Sequence, residues 1–158
     1  MKLRLICIGK LSAPFFKAGV DEYLSRVRRY SNVETIEIKE GGGTSDKKAT
    51  GQLIEREGEA ILRKISPAAF VVVLDEHGKG MSSRKLAMLF DSHMLEGTGE
   101  LVFIIGGAYG LSNQVKSRGD LILSLSDMTF PHQLVRLLLL EQIYRAFTII
   151  RNEPYHNE

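Results

Sequence analysis

A single cysteine, no tryptophan and only four prolines stand among the 158 residues. One cysteine excludes an internal disulfide and suits a reducing compartment. Cys7 lies inside the apolar run LRLICI, where a thiol behaves as inert core rather than as a nucleophile. The four histidines, His77, His93, His132 and His156, lack metal-ligand spacing, so Asp75-Glu76-His77 reads as a strand-end loop and no metal is expected. No Gly-x-Ser-x-Gly elbow occurs. A membrane partner is not expected either, because Arg136 and Glu141 interrupt the most apolar stretch before it reaches the roughly 18 residues of a bilayer crossing. The opening MKLRLICIGK carries charge inside its apolar run and lacks a signal-peptide core, so it reads as a strand and a cytoplasmic protein is expected. Neither sign of charge dominates, with 21 Lys and Arg against 19 Asp and Glu. One local cluster, Lys17, Arg26, Arg28 and Arg29 in the first helix, fits a solvated face as well as an RNA contact.

What is present is a regular alternation. A chain of this length fits one domain (1–158), and such domains bury roughly 70% of the surface their unfolded chains expose. Leu3 to Ile8 predicts a buried strand, and a helix with Pro14 in its first turn follows from Ser12. Val33 to Lys39 is polar on both faces, which suits a strand near an edge. Gly41-Gly42-Gly43-Thr44-Ser45 lacks the Gly-Lys-Ser/Thr ending of a phosphate loop and reads as a surface connection. A helix is expected over Lys47 to Ile65, ended by Pro67. Phe70 to Leu74 and Leu101 to Ile105 are unbroken apolar runs, the pattern of central strands covered on both faces. Ser82 or Ser83 caps a helix between them, and the chain continues through a short helix, Ser112 to Arg118, into a strand over Leu121 to Leu125. The predicted class is α/β, a mostly parallel sheet with helices on both faces.

The stretch from Leu121 to Asn157 holds the most specific information. Its helix, beginning at His132 after Pro131, spreads His132, Gln133, Arg136, Glu141, Gln142 and Arg145 around the helical circle, so that no solvent face is defined. A helix of this kind requires partners on several sides, and in a small domain one of them is expected to be a second copy of the chain. In parallel sheets ligands collect at the carboxyl ends of the strands. Three such ends are unusual here: Leu74-Asp75-Glu76-His77-Gly78, Ile105-Gly106-Gly107-Ala108-Tyr109-Gly110, and the loop Ser126-Asp127-Met128-Thr129-Phe130-Pro131. Glycines admit close approach of a flat ligand, and the third loop supplies amides, hydroxyls and apolar side chains. A nicotinamide dinucleotide is one reading, since Asp127 lies twenty residues after Gly107. The GGxxG spacing and the short following helix argue against it.

The segments MKLRLICIGK, LDEHGK, IGGAYGLS, LSLSDMTFPHQLVRLLLLEQIYRAF and RNEPYHNE together resemble the ribosomal RNA large subunit methyltransferase H family, of the knotted SPOUT class, over the whole chain. The resemblance implies a homodimer that uses S-adenosyl-L-methionine to methylate N3 of a pseudouridine in 23S ribosomal RNA, with a trefoil knot in the last third of the chain. It implies cofactor contacts at Leu74, Gly106 and Ser126 to Pro131. Ala108-Tyr109 stands where some relatives have Pro-Glu, Asp127 where a small or apolar residue is expected, and Asn157 where a basic residue is common.

An imide nitrogen becomes nucleophilic as its proton leaves, so a base or a cation near its carbonyls should assist. His132, Arg145, Tyr155 and His156 are the candidates for that role. His132 is equally an ordinary polar helix start, and Arg145 is equally the ion-pair partner of Glu141 four residues earlier. Tyr155 and His156 sit in a tail that is by default a frayed terminus; alternatively the two rings stack on a base and accept its proton. A non-catalytic ribosome-binding factor is the other class the basic first helix suits.

Overall fold

Strand and helix alternate in the computed structural model, which describes residues 1–42 and 45–156. Among these, five strands form one sheet: β1 (Lys2–Ile8), β2 (Asn32–Ile38), β3 (Phe70–Gly80), β4 (Glu100–Ile105) and β5 (Leu121–Ser124). Their order is β2-β1-β4-β3-β5, and every neighbouring pair is parallel. The half-polar strand β2 is indeed at an edge, and the apolar β4 is in the centre.

Because side chains alternate across a strand, each inner strand feeds two cores. Leu3, Leu5 and Cys7 of β1 and Leu101, Phe103 and Ile105 of β4 face α1 (Pro14–Val27), α3 (Ser83–Leu95) and α5 (His132–Ile150). Ile6, Ile8, Val71, Val73, Val102 and Ile104 face α2 (Lys47–Leu62) and α4 (Asn113–Arg118). This two-sided burial is why β4 and the first half of β3 read as unbroken apolar runs, and β1 as a run interrupted only by Arg4, and each large apolar side chain so covered contributes about 1.5–3 kcal/mol.

Local chemistry sets the helix starts. Pro14 occupies the first turn of α1, where its missing N–H costs nothing. Asp46, Ser82 and Ser112 cap α2, α3 and α4 by accepting from Lys48 N, Lys85 N and Val115 N. The second helix stops at Leu62 rather than Ile65, because its last amides, Lys64 N and Ile65 N, bond three residues back and tighten into turns ahead of Pro67. Gly41 N donates to Glu57 Oε1 of α2 at 2.9 Å, tying the start of the glycine-rich connection to that helix; Gly43 and Thr44 lie outside the described residues.

The third strand departs most from expectation. Instead of ending at Asp75 it continues to Gly80, and Leu123 of β5 pairs with both Leu74 and Lys79. Asp75 to Gly78 therefore bulge out of the ladder. The bulge closes on β5 so tightly that a Cβ on Gly78 would stand 2.7 Å from the Leu123 backbone carbon, so only glycine fits there.

No residue of α5 is fully exposed. The helix lies between α1 and α3 over β4, which supplies the several partners its sequence demands. Arg136 is 1% exposed. Its Nη1 is 2.9 Å from Glu37 Oε1, and its Nη2 donates to the carbonyls of Ile8 and Gly9 at the end of β1.

Candidate functional site

A parallel sheet delivers all its carboxyl ends to one rim, and three of these ends converge here on a cavity of about 540 Å³. That volume lies within the usual range of ligand pockets. Leu74 and Asp75 form one wall, Gly106, Gly107 and Ala108 a second, and Ser126, Met128, Thr129, Phe130 and Pro131 a third. Val135 of α5 and Leu123 line it as well. Seven of the expected cofactor-contact positions thus meet in one place. Asp127, the eighth, is exposed and stands off the wall; Tyr109 also lies outside the lining.

Backbone constraints hold the walls. Gly110 adopts φ +81°, and its amide donates to Gly107 O at 3.1 Å, folding the glycine turn back on itself. A Cβ on Gly106 would stand 2.9 Å from Leu111 Cγ. In the third loop, Ser124 Oγ donates to Ser126 O and Met128 N donates to Ser126 Oγ, a pair of local serine turns. Asp75 pairs with Lys116 Nζ at 2.6 Å and accepts from His77 N. Burial alone would raise its pKa, but the bonds from Lys116 and His77 outweigh that and hold the carboxyl below the usual range. Asp75 therefore meets the pocket as the ionised half of a pair with Lys116. Nothing in the sequence tied Asp75 to Lys116; they meet because α4 folds back beside β3.

His132 opens α5 on the pocket lining, as expected, and its Nε2 would stand 3.4 Å from a Cβ on Gly9. The other three candidates are elsewhere. Arg145 follows His132 by thirteen positions on the same helix, about 20 Å at 1.5 Å per residue. There it pairs with Glu141 through Nε at 3.0 Å and Nη2 at 2.5 Å, as the four-residue spacing allowed. Its Nη1 lies 3.2 Å from His156 Nδ1. A guanidinium only donates, so Nδ1 accepts in this contact, which assigns the ring's proton to Nε2. Tyr155 OH donates to Glu141 Oε1 at 3.1 Å and lies 3.2 Å from Tyr23 OH. Burial and these bonds raise its pKa, so it stays a phenol. Rather than fraying, the tail is thus docked as far as His156; Asn157 lies outside the described residues.

The cysteine is inert as predicted: Cys7 is fully covered, and burial pushes its thiol up to about 12. Among the described residues no cluster of His, Cys, Asp or Glu is arranged to hold a metal, and no helix is long and apolar enough to cross a membrane.

The family model for predicted SPOUT methyltransferases matches residues 1–156. The chain belongs to the SPOUT methyltransferases. Within the family it is similar to proteins named ribosomal RNA large subunit methyltransferase H. It is 50% identical to the one from Syntrophotalea carbinolica over 157 residues, covering 99% of both chains. Identity to the Trichlorobacter lovleyi protein is 49% over 158 residues, covering 99% of this chain and 100% of that one. A solved structure, a probable methylase family protein from Haemophilus influenzae, has a similar fold at a TM-score of 0.56 and 11% identity, over 99% of this chain and 70% of that one. In this SPOUT methyltransferase the glycine turn and the serine loop face each other across the cavity at the strand ends.

Proposed function

We propose that this methyltransferase transfers a methyl group from S-adenosyl-L-methionine to N3 of a pseudouridine in 23S ribosomal RNA, working as a homodimer of single-domain subunits in the cytoplasm. The observation that carries the reading is full-length similarity to proteins named for large-subunit ribosomal RNA methylation, joined to a cleft built at the matching strand ends.

The cleft suits the methyl donor. Its apolar lining of Leu74, Leu123 and Val135 fits a purine face, and the main chain of Gly106 and of Ser126 to Phe130 offers hydrogen-bonding edges. When bound, the donor supplies an activated methyl on a sulfonium, and the protein's task is to align the acceptor. Well-oriented reactants gain roughly 7–11 kcal/mol.

The acceptor side needs two subunits. His132 lies at the cleft, while Arg145, Tyr155 and His156 gather at the far end of α5, so a twofold partner lying antiparallel brings one subunit's tail over the other's cleft. Phe15, Met88 and Met128 are 69%, 70% and 73% exposed, apolar surface that a partner would cover. With its proton on Nε2, His156 serves as a donor to a base carbonyl, stabilising the charge that builds as the imide proton leaves. His132 is then the group placed to receive that proton. We further infer the trefoil knot that membership of the SPOUT class implies.

Nucleoside mass spectrometry of ribosomal RNA from cells lacking the gene tests the reading. Loss of a methylated pseudouridine is expected, and an unchanged level would overturn it. Calorimetry of the purified protein separates the alternatives: a ribosome-binding factor would bind no S-adenosylmethionine, and an oxidoreductase would bind a nicotinamide dinucleotide instead.

A further inference from the structure

The basic cluster of the first helix divides once its partners are known. Arg26 is engaged, pairing with Glu22 at 2.7 Å and lying over the Tyr23 and Tyr144 rings. Lys17 lies eleven positions before Arg28, about 16 Å along the helix. Arg28 and Arg29 are exposed at the C-terminal end of α1. A third exposed guanidinium joins them from the other end of the chain: Arg151, just past α5, lies 5.7 Å from the centre of the Tyr30 ring.

Among the described residues none of these three is paired with a carboxylate. Two carboxylates of the same segments are already occupied, Glu153 by the Tyr30 hydroxyl and Glu22 by Arg26. Tyr30 is fixed from behind by stacking on Phe147 at 5.2 Å and by the Glu153 bond, so the ring next to the arginines is a rigid support. The bond to Glu153 also ties this corner to the segment that carries Tyr155 and His156.

We propose that Arg28, Arg29 and Arg151 form a phosphate-gripping patch that holds the RNA backbone on either side of the nucleotide presented to the tail. The chemistry that selects the partner is repeated phosphate. Guanidinium forks without competing carboxylates match it, and arginine stacked on a tyrosine keeps its charge while losing little freedom. The inference rests on the tail being the acceptor-contacting segment, as proposed above.

The test measures binding of the full-length protein to ribosomes isolated from cells lacking the gene, at a series of KCl concentrations, beside methylation of the same ribosomes. The triple variant Arg28→Gln, Arg29→Gln, Arg151→Gln is expected to bind more than tenfold more weakly near 0.1 M salt. The slope of log affinity against log salt should fall by about 0.7–0.9 for each phosphate no longer neutralised. Affinity for S-adenosylmethionine and the melting temperature should be unchanged. The corresponding Arg→Lys triple should keep most of the slope, and the single Arg151→Gln variant about two-thirds of it, so the result does not depend on one protein folding. Wild-type methylation with an identical slope in the triple variant would overturn the patch and leave the function standing. Arginine-dependent binding without methylation would uphold the patch and sink the function, and a wild-type protein that binds no ribosomes would sink both.

Discussion

Arg136 Nη2 lies 2.6 Å from the carbonyl oxygen of Gly9 and 2.8 Å from that of Ile8. A helix late in the chain thereby satisfies two main-chain acceptors at the end of its first strand, one turn along α5 from His132. Replacing Arg136 with Met keeps the volume but strands those carbonyls and leaves Glu37 without its guanidinium. Because unsatisfied buried acceptors cost about 1–3 kcal/mol each, urea unfolding should report a loss of about 2–6 kcal/mol. A loss below about 0.5 kcal/mol would mean the clamp is not needed.

Gly78 should be as intolerant. A Cβ there would stand 2.7 Å from Leu123 C and 2.8 Å from Ile122 O, main-chain atoms that cannot rotate away, so Gly78→Ala must part β5 from the bulge. Thermal unfolding should move down by several degrees, with weaker binding of S-adenosylmethionine because Leu74 precedes the same bulge and Asp75 opens it. Gly42→Ala is the control: a Cβ on Gly42 meets nothing within 4 Å, and its melting temperature should be unchanged.

At the far end of α5, His156→Ala should reduce turnover by about 10²-fold, the size of effect seen when a transition-state hydrogen-bond donor is removed. Calorimetric affinity for S-adenosylmethionine should not change, since Arg145, which His156 contacts, lies about 20 Å along the helix from His132 at its own cleft. Weakened cofactor binding with turnover intact would refute the placement of the tail.

Asp75 sets a pH dependence of stability. Its carboxyl titrates below the ordinary range when folded, so its stabilisation is present above the unfolded value near 3.9 and is lost as pH falls through the folded value. Asp75→Asn removes that dependence. Stability measured from pH 6 down to pH 3 should fall less steeply in the variant below about pH 4; parallel curves would show that the Lys116 pair does not contribute.

Much of the architecture was legible because period and burial write directly into composition. Apolar runs announced β1, the first half of β3 and β4, serines before periodic stretches announced the starts of α3 and α4, and an apolar helix without a polar face announced that α5 would be covered on several sides. The three strand ends at the cleft followed from the rule that parallel strands finish on one rim. What the pattern could not carry was pairing between distant segments. Asp75 to Gly78 looked like an ordinary loop because only the ladder to Leu123 makes it a bulge, and Arg145 was ambiguous until Glu141 and His156 were placed around it. A tail read alone as frayed is ordered because Tyr155 finds Tyr23, 132 positions away. Local sequence determines which segments become strands and helices, since backbone sterics and side-chain period act over a few residues. Which side chains share a site was decided only by tertiary structure, because hydrogen bonds and ion pairs act over ångströms of space whatever the distance along the chain.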